Sequence, residues 1–279
     1  MENLKEILKS AFYGIVQGLT EFLPVSSSGH LAILKNIFGM NFDDSILFTL
    51  ILHLGSLVAV FIIYHKDIKD LFISFFTMMK KIFTGNFRYN RLTHGERFVI
   101  LVFIATLPLI VGALINKHIE VVAGYTKLIG LFLIINAVIL FFSDMIQAGD
   151  ITEKTAAPPN ALFVGLSQLI AIAPGVSLSG STITGGLLCG FTRQFAVKFS
   201  FIMSIPAILG ANVFKIADFA KSGAKITGTM AASCAAGFIL AFITGIIAIV
   251  AINIISRKKN FFIFAVYCFI IGVASLIFG

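Results

Sequence analysis

Residues 17–30 read QGLTEFLPVSSSGH, a polar stretch enclosed by apolar residues. Gln17 and Glu21 stand four residues apart, so on a helix they share one face. A carboxylate in such an apolar setting is costly and usually faces a cavity or a partner. Three hydroxyls and a glycine follow Pro24, which is typical of a loop whose backbone N–H groups can point inward and bind an anion. The stretch therefore predicts a polar site at a break between two helices.

The composition of the whole chain indicates a membrane protein. Of the 279 residues, 58% are hydrophobic and 12% charged, whereas a soluble domain has roughly 25% charged residues. A membrane span needs about 20 apolar helical residues. Six runs approach that length: 45–64, 98–116, 128–143 (which 121–126 can extend), 199–214, 226–256 and 260–279. The net charge of +8 fits anionic headgroups or an anionic substrate. Nucleic-acid binding is not expected, because no basic patch lies outside the short membrane loops.

A second broken segment covers residues 155–192. It has no charged residue before Arg193, but three prolines and six glycines interrupt it. Residues 11–23 are also too short and too polar for a plain span. Irregular backbone at membrane depth is tolerated only where protein or a water-filled cavity surrounds it, so both segments are predicted to be re-entrant hairpins. The second one offers the hydroxyls of Ser177 and Ser179 in a loop that mirrors the first.

The two broken segments resemble each other, which indicates an internal repeat. Each has Gly-Leu followed by Ser-Gly, at 18–19 and 28–29 and again at 165–166 and 179–180, and three apolar runs follow each. Three is odd, so the second half enters the membrane inverted. If the N-terminus is outside, 13 Lys and Arg residues lie inside, seven of them in loop 65–97, against eight outside. The predicted fold is one all-α polytopic membrane domain, residues 1–279, with six transmembrane helices and two re-entrant helix-loop-helix hairpins. It is an inverted-topology repeat of residues 1–147 and 155–279, with both termini outside.

The residue types at the predicted site leave several roles open. Glu21 suits a metal ligand or an acid/base group, and His30 can be a nucleophile or a general base near neutral pH. Two anion-binding loops that face each other suit a diphosphate better than a single phosphate or a carboxylate. No strongly basic residue lies in either loop, and the nearest along the chain is Arg193.

Residues 17–30 resemble the first signature of the undecaprenyl-diphosphatase family, the bacitracin-resistance phosphatases. The segment 174–180 is similar to the second signature, Pro-Gly-x-Ser-Arg-Ser-Gly, and residues 190–193, 199–201 and 205–206 also match. The resemblance covers the whole chain. It implies a bacterial plasma-membrane enzyme that hydrolyses undecaprenyl diphosphate to the monophosphate, recycles the lipid carrier of cell-wall synthesis and uses a divalent cation, Mg²⁺ or Ca²⁺. A homodimer is compatible with this reading.

Carried over by position, the resemblance assigns roles to named residues. Gln17 and Glu21 would hold the cation, with Glu21 also a general acid/base. Either Ser27 or His30 would attack phosphorus. The diphosphate would be bound by the remaining loop residues and by the nearest base, which are Ser26, Ser28, Gly29, Ser177, Ser179 and Arg193.

One position departs from the family pattern, because Leu178 stands where the second signature has arginine. Loss of such a transition-state donor can cost on the order of 10²–10³ in rate. Either Arg193 or another base replaces it, or catalysis is weakened or lost. A transporter of a lipid-linked phosphate or a small anion is the competing interpretation, since inverted repeats with broken helices are a transporter plan. Glu21 and His30 favour the enzyme, because a carrier has less need of an acid/base pair.

Overall fold

The computed structural model describes residues 2–38, 45–112, 121–222, 227–258 and 260–279. The described part is predominantly helical, which confirms the predicted class. Its helices are α1 (Glu2–Phe22), α2 (Ser27–Phe38), α3 (Ser45–Ile63), α4 (His65–Phe83), α5 (His94–Thr106), α6 (Thr126–Met145), α7 (Pro158–Ile170), α8 (Leu178–Leu188), α9 (Arg193–Ser222), α10 (Gly228–Arg257) and α11 (Phe262–Phe278).

Several of these helices are long and apolar enough to cross a membrane. Four stretches of the described residues meet both criteria: His94–Gly112, Thr126–Met145, Arg193–Val213 and Gly228–Arg257. A fifth stretch, Leu47–Ile63, meets the criteria only when it is taken together with α4. The two helices are bent by 89° relative to each other. The helix α11 is apolar but has only 17 residues. The chain is therefore a multi-pass membrane protein, whose helices coincide with the apolar runs of the sequence.

Each predicted hairpin contains a helix break at the expected place. The helix α1 ends at Phe22, and Ser26 then takes a left-handed backbone conformation with φ of 71° before α2 begins. In the second hairpin Gly175 has φ of 110° before α8 begins. The two turns touch, because a Cβ on Gly29 would lie 2.9 Å from the Cα of Gly175. Only glycine allows the backbones to approach so closely.

Small residues let each hairpin pack tightly against a span from the other half of the chain. Gly14 of α1 faces the backbone of Gly237 in α10, which leaves no room for a side chain at position 14. Likewise, Gly165 of α7 lies against the backbone of Ala105 in α5. Close backbone approach through small residues is the usual way in which membrane helices associate. Each hairpin therefore packs against the second of the three apolar runs that follow the other hairpin.

The loop at residues 65–97 is helical for most of its length. Residues 65–83 form the helix α4, residues 89–91 form a short 3₁₀ turn, and α5 begins at residue 94. The helix α5 then starts with a capping box, in which Thr93 accepts from the backbone N–H of Glu96 and the Glu96 carboxylate accepts from the N–H of Thr93. Lys81 of α4 pairs with Glu96 at 2.7 Å and ties the two helices together.

Candidate functional site

The first hairpin brings a carboxylate and a serine hydroxyl into direct contact. Ser27 is the first residue of α2, and its Oγ donates a hydrogen bond of 2.6 Å to Oε2 of Glu21 near the end of α1. Gln17 donates to the same oxygen from Nε2, at 2.8 Å. The predicted shared face of Gln17 and Glu21 is confirmed. A hydroxyl bonded to a carboxylate is the arrangement of a nucleophile beside its base.

Ser26 holds the loop rather than facing open space. Its Oγ accepts from the backbone N–H of Gly29 at 3.3 Å and from the N–H of Gly175 at 3.1 Å. The side chain is buried, and its positive φ is a strained conformation for a residue other than glycine. These contacts favour a positioning role for Ser26 over the predicted phosphate contact. Ser28 is exposed beside it.

His30 faces a different helix from the one that carries Glu21. Its Nδ1 lies 2.8 Å from the carbonyl O of Ser26, and since a carbonyl can only accept, Nδ1 carries the hydrogen. In the neutral ring Nε2 therefore accepts from the hydroxyl of Tyr267, at 2.9 Å. The two rings stack with centroids 5.5 Å apart. The described contacts thus join His30 to α11 and give it no hydrogen bond to Ser27 or Glu21. Nothing in the sequence pointed to Tyr267.

The second loop lies directly against the first. Ser177 caps α8 by accepting from the N–H of Gly180 at 3.1 Å, and its Oγ lies 3.1 Å from that of Ser179. Ser179 also donates to the carbonyl O of Leu23 at 3.4 Å. Both serines are buried. The structure thus brings Ser179 to the backbone of the first hairpin, with Ser177 beside it.

Asn136 joins the two loops from α6. Its Nδ2 donates to the carbonyl O of Pro24 at 2.9 Å, and its Oδ1 accepts from the N–H of Ser177 at 3.0 Å. The side chain is completely buried. A single asparagine in an apolar span does not reveal from the sequence alone which groups it bonds. The structure makes it the residue that sets the distance between the loops.

Leu178 lines a small cavity beside Glu21, with room for about one water-sized guest. Hydroxyls from Ser179, Ser200 and Ser204 line the same cavity. The last two stand four residues apart on α9, a spacing that could have identified them as one polar face in an apolar span. None of the residues around this cavity carries a positive charge, so the family arginine has no replacement in its lining.

Arg193 does not replace the missing arginine, and that alternative was wrong. Its guanidinium pairs with Asp144 at 3.5 Å, donates to the carbonyl O of Ile146 at 3.2 Å and lies over the ring of Phe261. The 11 residues of α8 separate it from the loop, a helix length of about 16 Å at 1.5 Å per residue. Arg193 therefore holds α6, α9 and the start of α11 together at the far end of that helix.

The residues around Glu21 fit a hard divalent cation. The Oε1 of Gln17 has no hydrogen-bond partner among the described residues although the side chain is completely buried. An unpaired buried oxygen is costly unless an ion or water satisfies it. Carboxylate and amide oxygens are the ligands that Mg²⁺ and Ca²⁺ prefer. The described chain has no group of three His, Cys, Asp or Glu side chains suited to a metal, so Gln17 and Glu21 would hold the cation together with water or substrate oxygens.

The fold and the site together define a class of proteins. Its members are multi-pass helical membrane proteins whose polar site is formed by two facing loops, each at a break between two helices. Within that class the chain belongs to the family described as "Bacitracin resistance protein BacA", whose sequence model matches residues 10–274.

Curated relatives match over almost their whole length. The undecaprenyl-diphosphatase of Methanosphaera stadtmanae is 37% identical over 276 residues, 98% of each chain. That of Methanobrevibacter smithii is 39% identical over 271 residues, 96% of each chain. That of Alkaliphilus metalliredigens is 38% identical over 275 residues, 97% of this chain and 98% of the relative.

Proposed function

We propose that this protein hydrolyses undecaprenyl diphosphate to undecaprenyl phosphate and inorganic phosphate, which recycles the lipid carrier of the cell wall and confers bacitracin resistance. Family membership and the names of the relatives support this activity. The observation that carries it is the hydrogen bond of 2.6 Å from the Ser27 hydroxyl to the Glu21 carboxylate. A polyprenyl diphosphate also fits a polar site built inside apolar helices.

In the proposed reaction Ser27 Oγ attacks the terminal phosphorus while Glu21 Oε2 takes the hydroxyl proton. The bond from that phosphorus to the bridging oxygen breaks, and undecaprenyl phosphate leaves with the bridging oxygen. Water then attacks the phosphoserine and gives one proton to solvent. The bond from phosphorus to Ser27 Oγ breaks, inorganic phosphate leaves, and Oγ takes back the proton that Glu21 holds. The work of the protein in phosphoryl transfer is positioning and charge stabilisation. The start of α2 supports this step, since helix N-termini favour anions.

His30 takes a supporting part in this proposal. Its Nδ1–H bond to the Ser26 carbonyl and its contact with Tyr267 fix the turn that presents Ser27. Replacing His30 with glutamine would then lower turnover less than replacing Ser27 with alanine. The opposite order would assign the attack to His30, the alternative that the sequence left open.

We further propose that Gln17 and Glu21 hold a divalent cation, Mg²⁺ or Ca²⁺. The bound cation would neutralise phosphate charge, a task that Leu178 cannot perform. Glu21 has one oxygen facing Ser27 and Gln17, and its second oxygen, which has no bond to another described residue, would take this role. Chelation with EDTA should abolish phosphate release, and added Mg²⁺ or Ca²⁺ should restore it. Gln17→Leu should raise the cation concentration needed for half of the maximal rate and weaken Mn²⁺ binding measured by electron paramagnetic resonance.

The membrane arrangement is also a proposal: six transmembrane helices, two re-entrant hairpins, and an inverted repeat of residues 1–147 and 155–279. The corresponding neighbours of α1 and α7 support it. In a bacterial plasma membrane both termini would face outside. A cysteine introduced at Lys5 should react with an impermeant maleimide in intact cells, whereas one at Thr84 should react only after lysis. The homodimer stays a prediction, which the mass of the purified protein tests.

The decisive experiment measures phosphate release from undecaprenyl diphosphate by the purified protein in detergent. Ser27→Ala and Glu21→Gln should each lower turnover by about 10²–10⁴, the usual contribution of such groups. Ser56→Ala is the matched control, because that hydroxyl is buried and bonded only within its own helix. Turnover within threefold of the unaltered chain in both site variants would refute the assignment. Absence of release from the unaltered chain, with lipid still bound, would favour the transporter.

A further inference from the structure

The helix α4 cannot be part of the span that precedes it. It leaves α3 at an angle of 89°. Its 19 residues include four lysines and two aspartates, far more charge than a spanning helix tolerates. A helix that turns at about a right angle out of a span, with this composition, lies along the membrane surface.

The surface of α4 divides into three faces, and only one is covered by the part of the chain that the structure describes. The covered face meets α5, where the hydroxyl of Ser74 fills the space beside Gly95 and Met78 is buried. A second face is apolar and exposed, with Phe72, Phe76 and Phe83 the most prominent side chains, Phe83 being 85% exposed. Large aromatic side chains on an open face of a surface helix are typical of insertion between lipid headgroups.

The third face carries a row of lysines along one edge of the apolar face. Lys66, Lys69 and Lys80 are exposed and lie within about 60° of one another around the helix, at 100° per residue. None of the three forms an ion pair within the part of the chain that the structure describes. By contrast, Asp67 and Lys81, which point toward the protein, are paired with Lys198 and Glu96.

We propose that α4 is a membrane-surface helix whose apolar face enters the acyl boundary and whose lysine row binds the headgroups of anionic lipids. The unpaired lysines stand at the edge where the apolar face meets water, which is the level of the phosphate groups. Positive side chains at that level are attracted to an anionic leaflet. This role is independent of the hydrolytic site.

The absence of tryptophan from the chain gives a direct test of depth. Phe83→Trp introduces a single tryptophan on the apolar face, where the native side chain is exposed and little packing is lost. Phe76→Trp is a second apolar position, and Thr77→Trp is the control one residue further around the helix. In liposomes containing lipids brominated along the acyl chain, both apolar positions should be quenched at least about twice as strongly as position 77. Equal quenching at all three positions would overturn the proposal.

The anionic preference is tested in the Phe83→Trp protein. Liposomes of fixed phosphatidylglycerol and phosphatidylcholine content are prepared twice, with the bromine on one lipid and then on the other. Brominated phosphatidylglycerol should quench the tryptophan fluorescence at least about twice as strongly as brominated phosphatidylcholine. A triple change of Lys66, Lys69 and Lys80 to glutamine should make the quenching by the two lipids equal. Equal quenching before the change would refute headgroup binding. If a cross-linked second copy of the chain shielded the tryptophan from quenching, this face would be an interface between protomers. That result would overturn the proposal.

Discussion

Replacing Asn136 with leucine should uncouple the two loops while leaving the helices in place. Leucine has a similar size but offers neither donor nor acceptor. The change removes bonds of 2.9 and 3.0 Å. It leaves the N–H of Ser177 buried without a partner and the carbonyl O of Pro24 with only a long contact of 4.0 Å from Cys268 Sγ. An orphaned buried group costs about 1–3 kcal/mol and a weakly bonded one somewhat less, so the change should cost about 2–5 kcal/mol.

Part of that cost should appear as misplacement of Ser27 relative to the second loop. A loss of about 2–4 kcal/mol in the transition state corresponds to a fall in kcat of roughly 30- to 1000-fold, at 1.36 kcal/mol per factor of ten. The KM for the lipid should change less than about threefold, because Asn136 is completely buried and offers the lipid no contact of its own. Phosphate release at several lipid concentrations, together with thermal unfolding of the purified protein, separates these effects.

Asn253→Leu is the matched control, since Asn253 is another asparagine within a span and bonds to the hydroxyl of Tyr64 at 3.1 Å, outside the described site. It should lower the unfolding temperature but preserve kcat. Asn136→Asp keeps an acceptor for the N–H of Ser177 and loses the donor to Pro24, so its kcat should be intermediate. If both leucine variants lose turnover only in proportion to their lost stability, Asn136 is a packing residue and the reasoning fails.

Three other changes test separate parts of the structure. Leu178→Arg should raise kcat at least about tenfold by adding a donor beside the reacting phosphate, and an unchanged rate in a folded protein would show that the cavity needs no charge. Arg193→Met should destabilise the protein by about 3–5 kcal/mol by breaking a buried ion pair, and the KM should not change. A raised KM would show that Arg193 contacts the substrate after all. Gly14→Leu should prevent stable folding because its side chain would meet the backbone of Gly237, whereas Gly210→Leu, which faces open space, should fold normally in the same melting assay.

Features set by neighbouring residues could be predicted from the sequence. The helix breaks lie where Pro24 and Pro174 place them, and the shared face of Gln17 and Glu21 follows from a spacing of four. The amphipathic helix α4 was missed although its signal was present. Residues 68, 71, 72, 75, 76, 79, 82 and 83 are apolar at helical spacing, but the flanking lysines are equally typical of a charged loop between spans.

Features set by distant residues could not be predicted. The contacts of His30 with Tyr267 and of Asn136 with Pro24 join positions 237 and 112 residues apart, and no local pattern encodes such a pairing. The error about Arg193 has the same origin. It is the nearest base along the chain, but the intervening helix α8 carries it away from the loop.

The division of work between the loops explains how a site can form around Leu178. The second loop contacts the first mainly through groups that hold position: the N–H of Gly175 bonds to Ser26, and Ser179 bonds to the carbonyl of Leu23. The groups suited to chemistry, Glu21 and Ser27, both belong to the first hairpin, at the end of α1 and the start of α2. A side chain at position 178 can therefore change without disturbing the bonds that align the loops. Substitutions in the second loop should therefore change the rate in one of two ways, by moving the loop or by adding charge at position 178. Only a change of charge at position 178 should leave folding unaffected.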